Sequence, residues 1–148
     1  MKTTAGFVAA AFLAAITVVA IGTRAQVRTE ESAVRLAVEA YLHGLKFNDV
    51  ESFKKVFYPE AKLFFVRKNG ELGELSQEQW HKGFAANAGK EEKGDLQIAA
   101  VDITDKAACV KVVENYEDAT YADYISLLRL ADGWKIVNKI FVVEKRAS

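Results

Sequence analysis

Apolar residues recur along the chain with two different spacings, three to four residues apart near the first third and every second residue toward the end. Over residues 30–46 the helical spacing gathers one apolar face, made by Val34, Val38, Tyr41, Leu42 and Leu45. Such a stripe is typical of an amphipathic helix that packs against a core. From residue 94 onward, alternating segments separated by short polar turns favour strands.

The segments between these two regions predict further elements. A second helix is expected over residues 50–57, ended by Pro59, and Ser76 with Gln79 forms a capping-box pattern that starts a third helix ending near Gly89. The predicted strands cover residues 61–66, 71–75, 94–103, 107–117, 120–131 and 133–145. The sequence therefore predicts an α+β fold with its helices on one face of a curved antiparallel sheet. In strand 107–117, Cys109 is expected to be a small buried residue.

The first 25 residues have the composition of an export signal. A short basic start, a long apolar run and small residues at Thr23 and Ala25 predict cleavage before Gln26 and a mature domain over residues 26–148. The alternative is that the apolar run stays as a membrane anchor, because its length approaches that of a spanning helix. We expect the cleaved form, periplasmic or secreted from a bacterium, with no stable membrane anchor.

Charge and cysteine content narrow the possible partners. Residues 1–25 carry two basic side chains and no acid, so the remaining 123 residues have 18 Lys and Arg against 20 Asp and Glu, a net charge of −2. Without a basic stripe, nucleic acid is not expected as a partner. One cysteine forbids an internal disulfide, and the two histidines lack metal-ligand spacing, so neither a metal nor a cofactor is predicted.

Particular segments resemble the nuclear transport factor 2-like superfamily, which includes ketosteroid isomerases and polyketide cyclases. The resemblance covers about residues 30–145 and rests on Tyr41 and on the segments 48–51, 57–63, 123–128 and 132–139. The last two segments look most like the bacterial subfamily labelled "putative lumazine-binding". The resemblance implies a cone-shaped fold, three N-terminal helices packed on a curved antiparallel sheet, with a ligand between the helices and the concave sheet face. It also implies a homodimer formed through the sheet.

Ketosteroid isomerases use a helix-one tyrosine, a protonated aspartic acid and an aspartate base. By the resemblance, Tyr41 takes the position of the tyrosine, Phe65 that of the base and Ser126 that of the acid. Phenylalanine cannot move a proton, so isomerase activity of that type is not expected.

The last hairpin supplies further candidate ligand-binding residues. A two-residue loop at 132–133 would pair Ala131 with Trp134, which carries Tyr124, Ser126, Lys139 and Phe141 onto one face. The family alignment makes that face concave, where a lysine would need an anion, either a fixed carboxylate or a ligand. A lysine reaching solvent at the sheet edge is the alternative. A β-bulge would exchange the faces and nominate Asp123 and Asn138 instead.

The predicted ligand-binding set combines these positions with helix three. It consists of Tyr41, Trp80, Phe84, Tyr124, Ser126 and Lys139. Trp80 and Phe84 share a helix face, and they would either fill the core or line a pocket. The expected function is an exported domain that binds a small molecule in an apolar cone. The alternatives are an isomerase, dehydratase or cyclase without the ketosteroid isomerase base, and a non-catalytic dimerisation module.

Overall fold

A computed structural model of the protein describes the backbone of residues 7–146 and the side chains of residue 26 and residues 28–146. The chain divides after Ser32 into two compact units, and the sheet, the core and the cavity discussed below belong to the second, residues 33–148. The predicted signal segment, residues 1–25, lies outside the described side chains. Among the residues that the structure describes, no helix has an apolar stretch long enough to cross a membrane.

The fold has three α-helices and six strands. The helices are α1 (Phe7–Phe47), α2 (Val50–Val56) and α3 (Gln77–His81), and Ala85–Asn87 forms a 3-10 turn. The strands are β1 (Phe57–Val66), β2 (Leu72–Ser76), β3 (Gly94–Thr104), β4 (Ala107–Tyr116), β5 (Ala119–Leu130) and β6 (Gly133–Lys145). They form one sheet in the order β2-β1-β6-β5-β4-β3, antiparallel throughout except for the parallel β1–β6 pair.

The predicted α+β class is confirmed, with corrections to the helices. Only α1 and α2 precede the sheet, since α3 follows β2, so the three helices are not all N-terminal. The expected third helix is a short α3 and a separate 3-10 turn. Backbone bonds of the 3-10 type replace helical ones after Trp80, with Gly83 N donating to Trp80 O at 3.0 Å. The predicted capping box at Ser76 and Gln79 is present.

The helix α2 ends earlier than expected and passes directly into β1. Asp49 caps its start by accepting from Glu51 N at 3.0 Å, and Phe57 is already the first residue of β1. Pro59 therefore lies inside a strand, in the region where the β1–β6 register shifts between Phe57 and Lys62. An irregular stretch of strand accommodates proline because the ladder there lacks a bond that needs its missing N–H.

The core lies between α1 and the inner face of the sheet. Four residues of the predicted stripe are buried, namely Val34, Val38, Tyr41 and Leu45, while Leu42 is half-buried. Gly44 allows Phe53 of α2 to lie directly on α1, because a Cβ at that position would overlap the Phe53 ring. From the sheet, Val110, Val112, Ile125, Leu127 and Ile136 complete this core.

The predicted position of Cys109 is wrong. Alternation along β4 buries Ala108, Val110 and Val112, so Cys109 lies on the opposite face of the sheet and is exposed.

The predicted register of the last hairpin is also wrong. Leu130 pairs with Gly133, so the loop is Ala131-Asp132, and a register shift follows between Ser126 and Leu127. Beyond this bulge Ile125 pairs with Lys139, and the buried inward positions are then Asp123, Ile125 and Lys139. The extra residue of β6 brings Lys139 onto the face of Asp123 and Ile125, so Tyr124 and Ser126 lie on the outer face. Of the two residues that the bulge alternative nominated, Asp123 lies inward and Asn138 does not.

Candidate functional site

A cavity of about 590 Å³ opens between the inner face of the sheet and the segment that contains α3 and the 3-10 turn. Its lining combines aromatic rings with carboxyl groups. The rings are Trp80, Phe84, Tyr116, Tyr121 and Phe141, and the acids are Glu91, Glu92, Glu114, Glu117 and Asp118. Leu45, Asn48, Lys93 and Lys139 also line it. The volume lies in the range of small-molecule sites, about 300–1,000 Å³.

Lys139 reaches the floor of this cavity from β6 and is neutralised by a fixed carboxylate. Its Nζ donates to Asp123 Oδ2 at 2.9 Å and to Tyr41 Oη at 2.8 Å. The Tyr41 hydroxyl in turn donates to Asp123 Oδ2. Because Asp123 is wholly buried and Lys139 is 4% exposed, the pair depends on these mutual contacts rather than on water.

Aromatic rings surround the lysine on several sides. Lys139 Nζ lies 5.0 Å from the ring centre of Trp80, 4.8 Å from that of Phe141 and 5.3 Å from that of Tyr41. Rings at this distance attract a cation through their negative faces. Trp80 also stacks on Tyr41, with centroids 6.2 Å apart, and meets Phe84 edge-on at 4.9 Å. One aromatic cluster therefore forms both part of the hydrophobic core and part of the cavity wall.

Glu114 is the second buried acid of the site and, unlike Asp123, it lines the cavity. It is 3% exposed, its Oε2 accepts from the Tyr116 hydroxyl at 3.2 Å, and its Oε1 lies 3.5 Å from Tyr41 Oη. Burial, followed by the negative charge of Asp123, raises the pKa of Glu114 to about 8, against the opposing effect of Lys139. At neutral pH this carboxyl therefore carries a proton for most of the time.

The tyrosines of the site remain phenols. Burial, with the charges of Asp123 and Glu114, raises the pKa of Tyr41 well above its ordinary value. Burial and then Glu114 likewise raise the pKa of Tyr116. Both hydroxyls can therefore donate hydrogen bonds across the whole physiological range.

Glu114 is itself a hydrogen-bond donor in this buried cluster while it carries its proton. Its hydrogen bond with Asp123 is one of the causes of its raised pKa. The single proton of Tyr41 goes to Asp123 Oδ2, so once Glu114 is ionised its Oε1 keeps only the 3.5 Å contact with Tyr41 Oη. A buried acceptor without a donor costs about 1–3 kcal/mol, so the ionised form of Glu114 favours an occupant that supplies donors.

The structure separates the six residues predicted to bind ligand into three groups. Trp80, Phe84 and Lys139 line the cavity. Tyr41 lies one layer behind it, fully buried, and contacts the site through Lys139 and Glu114. Tyr124 and Ser126 lie on the outer face of the sheet, away from the cavity, because they alternate along β5 with the buried Asp123, Ile125 and Leu127.

Two acids of the site were not in the predicted set. Asp123 was nominated only by the bulge alternative, together with Asn138, which alternates with Lys139 and so faces outward. Glu114 was missed, although β4 carries the signal: it has the same parity as the buried Ala108, Val110 and Val112. A carboxyl group at an inward position of a strand indicates a buried polar site.

Metal binding has no support in the described part of the chain, where no group of three or more His, Cys, Asp and Glu residues could hold an ion.

Comparison with known proteins places this arrangement in a structural class. An NTF2-like protein of Silicibacter pomeroyi shares 19% identity with a TM-score of 0.71, over 80% of this chain and 98% of that one. One from Shewanella baltica shares 20% identity with a TM-score of 0.71, over 78% and 94% of the two chains. The fold is therefore NTF2-like. The chain belongs to the family described as "Putative lumazine-binding", whose model matches residues 29–142. A comparison with curated proteins gave no match.

Proposed function

We propose that the protein is an exported domain that binds a small molecule in the cavity between α3 and the inner sheet face. The cavity itself carries the proposal: about 590 Å³, aromatic walls, and the buried polar groups Lys139 and Glu114 at its floor. Aromatic walls that hold a ligand, with polar groups that fix its orientation, are common features of ligand pockets. The family description, which names a heterocyclic ligand, supports the same class of function.

A pair of tyrosines offers a matched test. Tyr121 lines the cavity, whereas Tyr124, three residues along β5, is 44% exposed on the outer face. Protein purified without denaturation from the periplasm of its host is examined by native mass spectrometry for a bound small molecule. We expect a ligand on the wild type and on Tyr124→Ala, and a clearly reduced fraction on Tyr121→Ala. A ligand lost with Tyr124→Ala and kept with Tyr121→Ala would move the site to the outer face.

Export and dimerisation complete the proposal. The basic start, apolar run and Thr23-x-Ala25 site support removal of the first 25 residues. The outer face of β5 and β6 exposes Tyr124, Leu128, Ile140 and Val142, which supports a homodimer through the sheet. Sedimentation velocity tests the dimer: Ile140→Glu is expected to give monomers at a concentration where the wild type sediments as a dimer. A wild-type monomer would refute it.

An enzyme that moves a proton is a second candidate, favoured by the pKa of Glu114 near 8. A general acid or base works best when its pKa is near the working pH. Incubation of the co-purified ligand in deuterated water with the protein tests this candidate by mass shift. Deuterium incorporation that disappears with Glu114→Gln would support an enzyme, and no incorporation with the wild type would leave binding alone.

A further inference from the structure

We propose that the cavity selects an organic cation, a protonated amine on an aromatic or apolar group, whose ammonium binds the Glu114 carboxyl group. The proposal rests on the function proposed above and specifies the chemical class of its ligand. Three independent features of the site support it: the charge balance, the shortage of hydrogen-bond donors and the aromatic walls.

The charge balance disfavours an anion. Lys139, the one buried cation among the described residues, is already paired with Asp123 at 2.9 Å and is in contact with Tyr41. Of the remaining charged residues of the lining, the acids Glu91, Glu92, Glu117 and Asp118 outnumber Lys93, and Glu114 adds a negative charge when it is ionised. Lys46 lies 3.4 Å from Glu91, so it compensates only part of this negative charge. An anionic ligand would enter a field that is already negative.

The shortage of donors indicates where the positive group would bind. Once Glu114 is ionised, its Oε1 keeps only a 3.5 Å contact with the Tyr41 hydroxyl, whose proton goes to Asp123. Glu114 Oε2 accepts only from Tyr116, at 3.2 Å. An ammonium group supplies up to three donors and a full charge, so it can donate a charge-assisted hydrogen bond to Oε1 of the ionised carboxylate.

The walls suit the rest of such a ligand. Trp80, Phe84, Tyr116 and Phe141 line the cavity and offer ring faces and edges to an apolar group or to the ammonium itself. Rings of the same cluster already surround the ammonium of Lys139. A bare metal ion is a poorer fit, since no three of the acids among the described residues are grouped so that they could hold one.

Binding of a cation at Glu114 is coupled to release of a proton. A carboxyl with a pKa of about 8 is mostly protonated at pH 7, and an adjacent ammonium favours its ionised form. The ligand therefore displaces close to one proton at pH 7 and almost none above about pH 9.5, where Glu114 is already ionised.

The test uses three probes with one skeleton: 3-phenylpropylamine, which is a cation at pH 7, 3-phenylpropan-1-ol and 3-phenylpropionate. Calorimetric titration of the wild type is expected to show the amine binding roughly tenfold more tightly than either analogue, a difference of about 1.4 kcal/mol. Titrations at pH 7 in phosphate and in MOPS, whose ionisation heats differ, measure the released proton. Glu114→Gln is expected to abolish both the preference and the proton release. Glu144→Gln, which changes an exposed acid of β6 outside the lining, is the matched control and should change affinity less than about twofold.

The possible failures are distinguishable. Tighter binding of the alcohol or of the propionate overturns the choice of a cation while the cavity remains a binding site. An amine preference that survives Glu114→Gln, or binding without proton release, overturns the assignment to Glu114. No saturable binding of any of the three probes counts against both the cation and the proposed pocket for ligands of this class.

Discussion

Replacing Lys139 with methionine should destabilise the protein strongly, because it leaves the buried carboxylate of Asp123 without its ionic partner. The side chain is 5% exposed and its ammonium lies 2.9 Å from a carboxylate that is wholly buried. At an effective dielectric constant of about 20, two unit charges at this distance attract by roughly 6 kcal/mol. Methionine relieves the desolvation of the ammonium but leaves the charge of Asp123 buried, and such broken pairs cost about 3–5 kcal/mol.

Chemical denaturation of three variants measures this loss of stability. We expect Lys139→Met to lower the free energy of unfolding by about 3–5 kcal/mol at pH 7. The double variant Asp123→Asn with Lys139→Met removes both charges and should recover at least about half of that loss. Lys62→Met is the control, since Lys62 pairs with Glu74 at the surface and should cost less than about 1 kcal/mol. A loss for Lys139→Met no larger than that of the control would refute the buried pair.

Three further predictions concern Trp134 in the core, the buried acid Glu114 and the predicted signal segment. Trp134 is 7% exposed, so Trp134→Ala should cost about 3–5 kcal/mol, and a denaturation midpoint near wild type would contradict its burial. Because the pKa of Glu114 is raised in the folded protein, its stabilising contribution is complete below about pH 4.5 and is lost as pH rises through about 8. Denaturation midpoints should therefore fall between these two pH values. Glu114→Gln should make the midpoint depend less on pH. If the midpoint of Glu114→Gln depends on pH as strongly as that of the wild type, groups other than Glu114 cause the dependence. Intact-mass measurement of periplasmic protein should give Gln26 as the first residue, whereas a leader retained in the membrane fraction would show an anchor.

The regular parts of the fold could be predicted because single local signals determine them. The apolar stripe Val34, Val38, Tyr41 and Leu45 fixed the inward face of α1, and Ser76 with Gln79 marked the start of α3. The length of α3 could not be predicted, since the helical pattern continues past His81 while the backbone bonds change type at Gly83.

The site could be predicted only in part, because a bulge has no clear local signature. One extra residue in β6 reverses the alternation of that strand beyond it, which places Lys139 on the same face as Asp123 instead of with Tyr124 and Ser126. The need of Lys139 for an anion was predictable from its place in an apolar strand, but whether that anion was a ligand or Asp123 depended on a contact across the β5–β6 pair.

Occupation of the cavity by a ligand is tested most directly through the two tryptophans. Trp80 lines the cavity, and Trp134 is buried in the core without lining it. In protein labelled with ¹⁵N, titration with 3-phenylpropylamine should shift the indole N–H resonance of Trp80 with a saturable dependence on concentration and leave that of Trp134 in place. A saturable shift of Trp134 alone, or of neither indole, would contradict binding in this cavity.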